Sequence, residues 1–143
     1  MFAVTMSVQE SVPLGVALAV TVFVVVLVPL YHRTYGPTNF LYFCDVALLL
    51  TLVGVWTDSR LIISTAAVGI LIPQTVWLLD FTMGLCGLRV FHLTDYMFRP
   101  SLSLMLRALS LYHGWLPLLL IWLVLRIGYD PRAFWVWTVL SWG

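Results

Sequence analysis

Cys44 and Asp45 sit side by side near the start of one apolar run, FLYFCDVALLL, and His113 sits near the start of another, LSLYHGWLPLLL. A thiol and an imidazole facing one cavity are the minimum for nucleophilic acyl chemistry: the ring takes the proton and the thiolate attacks an ester carbonyl. Cys44 and His113 are therefore the candidate catalytic pair. Asp45 lies about 100° around a helix from Cys44, so the two do not present equally to one partner. Asp45, Gln74 and Asp80 are the supporting polar groups, able to orient His113 or assist an oxyanion. Each of these residues also has a plainer role. Cys44 can be a small buried hydrophobe, His113 can bond a carbonyl or a lipid headgroup, and Gln74 and Asp80 can tie helices together.

The elements that must position these groups are set by composition. The chain has 143 residues, 62% hydrophobic and 9% charged, with a mean hydropathy of +1.04. That is more apolar surface than a soluble chain of this length can hide. The fold expected is all-α, a polytopic transmembrane helix bundle in a single domain. A span takes roughly 20 apolar residues, which predicts four helices over residues 13–31, 40–57, 61–81 and 108–125. Residues 82–100 read as an interfacial hairpin or short amphipathic helix, and residues 133–143 as a partial helix or the start of a fifth. Glu10 precedes the first run where a signal peptide would carry positive charge, so that run reads as a retained anchor.

Four alternating helices bring the connections after the first and third to one membrane face. Cys44 and Asp45 then lie roughly 6 to 8 Å below that face, at 1.5 Å per residue. Gln74 lies at a similar depth, Asp80 near the surface, and His113 about five residues into the last span. Ionisable groups at such depths normally face protein or water and mark a site. Pro73 and Pro117 each remove a backbone donor, kinking their helices and freeing the carbonyls of Gly69 and His113 at matching depth.

The basic residues are seven arginines, without lysine and without clustering, which argues against nucleic acid as a partner. Arg107, at the rim, suits a lipid headgroup phosphate. Cys44 and Cys86 have no metal-type spacing, so neither a metal nor another cofactor is expected. A haem between His92 and His113 would need His92 on a facing helix, which the sequence does not provide.

Three segments in order, FLYFCDVALLLTLVGVWTDSRL, AVGILIPQTVWLLDF and LSLYHGWLPLLLIWLVLRIGYDPR, resemble the YwaF-like bacterial integral-membrane family over residues 39–132. The chain also resembles other bacterial membrane proteins without an assigned activity. The YwaF-like resemblance implies distant kinship with membrane phospholipid acyltransferases and an analogy to androgen-induced-gene-type fatty-ester hydrolases, which carry threonine in place of cysteine. Carried over by motif, it puts Cys44 as nucleophile, His113 as base, and Gln74 and Asp80 as supporting groups. It implies membrane lipids as partners and the bacterial inner membrane as location. The sequence departs from the family pattern in IPQ, where alanine would precede glutamine, and in lacking a proline before Asp80. Two other functions stay open. IPQTVW suits a small carrier, although the three-helix repeat of such carriers is missing. Small-residue faces such as TAAVG suit a homo-oligomer or a non-catalytic subunit beside a partner membrane protein.

Overall fold

A computed structural model describes residues 11–142. Glu10 and Gly143, which bear on the anchor and on the last residue of the partial helix, lie outside the described residues. The described chain is mainly helical, without strands. Helix α1 spans Leu14–Tyr35, α2 Phe43–Thr57, α3 Arg60–Leu85, α4 Leu104–Ser110, α5 Tyr112–Ile127 and α6 Ala133–Trp142, with 3-10 turns at Pro37–Leu41 and Asp95–Phe98.

Three units are long and apolar enough to cross a membrane: α1, α3, and α4 with α5 as the 24-residue stretch Leu104–Ile127. The protein is an integral membrane protein. Expectation and structure part at α2, which has 15 residues and rises about 22 Å against a hydrocarbon core of about 30 Å. Its limits are local. Pro37 opens a 3-10 turn and Tyr42 is extended (φ −65°, ψ 143°), so the helix cannot begin before Phe43. At the other end Asp58 turns left-handed (φ 49°, ψ 31°), and the Ser59 hydroxyl accepts from Ile62 N at 3.3 Å to start α3.

The two-residue turn makes α2 and α3 antiparallel neighbours. Gly54 lets them close, because a Cβ there would meet Ile63 Cγ1 at 2.5 Å. Gly69 does the same for α6: an added Cβ would stand 2.5 Å from the Trp137 ring, which also meets Phe43 edge-on at 5.4 Å. Small residues at such crossings are what bilayer packing favours, since lipid tails are as apolar as the core.

Helix α1 buries Ala17, Val20, Val24, Leu27 and Tyr31 in a stripe of threes and fours, while Leu14, Leu18, Val22 and Val25 on its other faces are exposed. An exterior as apolar as the interior is what a lipid solvent allows. Against that stripe, Phe23 sets its ring edge-on to Trp115 of α5 at 4.9 Å.

The interfacial segment expected over 82–100 takes a different form. Helix α3 runs four residues past Phe81, and the chain then crosses back irregularly with one 3-10 turn. Asp80 fixes this path, accepting from Phe91 N at 3.0 Å, Thr94 N at 2.9 Å and Thr94 Oγ1 at 2.9 Å. The last span starts earlier than expected, at Leu104, where the Ser103 hydroxyl accepts from Leu106 N. It is interrupted at Leu111, where Gly114 N donates three residues back, to Leu111 O at 2.9 Å.

Candidate functional site

One end of the bundle encloses an open, mainly apolar cavity of about 1040 Å³. Its wall is drawn from the end of α1, the start of α2, the second half of α3, the 86–103 connection and the start of α5. Cys44, Asp45, Gln74 and His113 all stand on it. Asp80 and Arg107 do not.

His113 owes its pose to the break in the last span. With Gly114 N turned to Leu111, the Ser110 carbonyl accepts instead from His113 Nδ1 at 2.8 Å. A carbonyl only accepts, so Nδ1 carries the proton and the neutral ring keeps a lone pair on Nε2. The imidazole is also stacked on Trp77, with centroids 4.9 Å apart and planes 19° apart. Trp77 is itself held by donating from Nε1 to the Tyr96 hydroxyl at 3.1 Å. Pro117, one turn on, cannot donate to the His113 carbonyl.

Asp45 is buried, and both carboxylate oxygens are engaged. Tyr112 Oη donates to Oδ1 at 2.8 Å and Asn39 Nδ2 donates to Oδ2 at 3.0 Å. It therefore anchors Tyr112, and the Ser110 carbonyl, not a carboxylate, orients His113. Cys44 is half-buried. The same Tyr112 hydroxyl lies beside it, and among the described residues it makes no hydrogen bond to His113. Tyr112 thus adjoins both the candidate nucleophile and the candidate base, with its ring 4.2 Å from the imidazole.

Gln74 is only 2% exposed, and neither Nε2 nor Oε1 has a partner among the described residues. Arg107 is engaged locally, donating from Nε and Nη2 to Leu102 O at 3.1 and 3.0 Å. The arginine on the cavity wall is Arg99, which is exposed at the mouth.

Sequence reasoning missed Tyr112, Ser110, Tyr31 and Trp77 as parts of this site. Tyr31 Oη and Ser110 Oγ share a hydrogen bond of 2.9 Å across 79 residues. Tyr31, Trp77 and Tyr112 resemble interfacial aromatics by position. The signal available was the run Ser110, Tyr112 and His113, three polar-capable side chains within one turn of an apolar helix.

At the opposite end, Asp130 accepts from Arg132 Nη2 at 2.7 Å and Nε at 3.1 Å, and these bonds hold its carboxyl down at about 2. Among the described residues, no group of three or more metal-ligating side chains is assembled. No protein-family model, curated protein or solved structure matches the chain.

Proposed function

We propose that the protein takes an acyl amphiphile from the membrane into this cavity and transfers or hydrolyses its acyl group through Cys44 and His113. The observation that carries this reading is the shared wall: a half-buried thiol, and an imidazole whose Nε2 has no partner among the described residues, line one mainly apolar cavity. An apolar cavity with a few convergent polar groups is the usual form of a small-molecule site.

The step balances as follows. His113 Nε2 takes the thiol proton, the Cys44 sulfur bonds to the ester carbonyl carbon, and the ester C–O bond breaks. The departing alkoxide takes the proton from His113. Water or a second alcohol then attacks the thioester, gives its proton to Nε2, and releases the acid or new ester as the thiol is restored. Tyr112, adjoining the sulfur and anchored on Asp45, positions the nucleophile. Arg99 at the mouth offers a guanidinium to an anionic headgroup, the part assigned to Arg107 on sequence grounds. The YwaF-like motifs carry the same pair, and a bacterial inner-membrane setting belongs to the same proposal.

The test is turnover of a short-chain lipid ester by the purified protein in micelles, with the covalent intermediate trapped on Cys44 and identified by mass spectrometry. Cys44→Ala and His113→Ala are each expected to lower turnover by about 100-fold or more. Undiminished turnover in either variant ends the mechanism.

A further inference from the structure

Gln74 is the one buried side chain among the described residues that has polar atoms and leaves them all without a partner. The other buried polar side chains behave differently. Asp45, Asp80, Thr51, Thr65, Ser64 and Ser110 are all buried and all bonded. Leaving a buried donor or acceptor unmade costs about 1–3 kcal/mol per group, and a carboxamide has one of each kind. Pro73, directly before Gln74, has no N–H for the Gly69 carbonyl, and neither amide atom of Gln74 finds a backbone or side-chain partner among the described residues. Gln74 belongs to the cavity wall, three residues before Trp77, on which His113 stacks.

A primary amide at the wall of an apolar cavity has a particular complement. Nε2 donates and Oε1 accepts, some 2 Å apart on one planar edge. A plain ester offers acceptors alone, so it would quiet Nε2 and leave Oε1 stranded. A ligand offering a carbonyl together with a neighbouring O–H or N–H satisfies both. Resting on the function proposed above, we infer that Gln74 selects, among acyl amphiphiles, those that carry a free hydroxyl or N–H beside the carbonyl: partial esters of polyols and N-acyl amides, against fully capped esters. Gln74 Nε2 donates to the ligand carbonyl, and Oε1 accepts the ligand's O–H or N–H. Sites built to bond a ligand hydroxyl discriminate strongly against analogues lacking it, because the wall group is then left unpaired.

The experiment is equilibrium binding of radiolabelled monolauroylglycerol to the full chain in micelles, with methyl laurate and lauramide as competitors. A Cys44→Ala background keeps any ligand from being consumed. Monolauroylglycerol and lauramide are expected to bind at least about tenfold more tightly than methyl laurate, and Gln74→Met to erase the preference. Equal binding of all three to the Gln74 protein, or a preference that survives Gln74→Met, overturns the inference and leaves acyl-amphiphile binding standing. Binding of none of them overturns the proposed function as well. Should Gln74→Met fail to fold, the three-ligand comparison on the Gln74 protein decides the matter unaided.

Discussion

The two ends of the bundle use similar residues to opposite effect. At the Asp58–Ser59 end, side chains fasten the backbone of the connections: Asp58 Oδ1 accepts from Val12 N over 46 residues at 2.7 Å, Ser64 Oγ accepts from Asp130 N over 66 at 3.0 Å, and Asp130 itself pairs with Arg132 two residues on. At the other end, side chain bonds side chain around the cavity, Tyr112 to Asp45 over 67 residues and Tyr31 to Ser110 over 79, and one amide is left over. What separates the ends is what the bond holds, the backbone of a connection at one and side chains beside a cavity at the other.

The sharpest way to break this contrast is to compare turnover after Cys44→Ala or His113→Ala with turnover after Arg132→Ala. The first two are expected to lose about 100-fold or more, and Arg132→Ala to keep full activity. A comparable loss in Arg132→Ala would make the ends equivalent.

Next in size is Tyr112→Phe. It leaves buried Asp45 with Asn39 as its remaining partner, and the expected cost is about 1–3 kcal/mol, read as a lowered melting temperature in micelles. Melting unchanged from the wild type would mean that the bond between Tyr112 and Asp45 contributes nothing to the fold.

The smallest effect belongs to Asp130→Asn. Because Arg132 depresses the Asp130 carboxyl, the stabilisation from that pair is fully present above the ordinary aspartate value of about 3.9. It is lost as the pH falls through about 2. The variant should melt slightly below the wild type at neutral pH, and the two melting curves should converge in acid. A gap that widens in acid would reverse the assignment.

Much of the frame was legible from residue types. Long apolar runs dictate helices, and counting residues from the connections places Cys44, Gln74 and His113 at one depth, where the cavity lies. The site's bonding was not legible, for physical reasons. Asp45 and Asp80 look alike in sequence, yet one anchors a tyrosine inside the bundle and the other fastens the backbone of residues 91–94. That choice depends on an irregular connection with no periodicity to read. Arg107 is absent from the cavity wall, where Arg99 stands, for the same reason: Ser103 starts α4 early and Arg107 bonds back to Leu102. The shortness of α2 was written in Gly36, Pro37 and Asp58, but a hydropathy count is blind to the backbone angles they impose.

The turn at Leu111 gives the last span a property that neither its length nor its composition suggests. The Ser110 carbonyl can serve either the winding of the helix or the ring of His113, but not both in full. Rewinding that turn into continuous α-helix would hand the carbonyl to Gly114 N and leave the ring held by its packing on Trp77 and Tyr112 alone. Any tilt of α4 that tightens or slackens this joint would therefore act as a clutch on the orientation of the His113 ring.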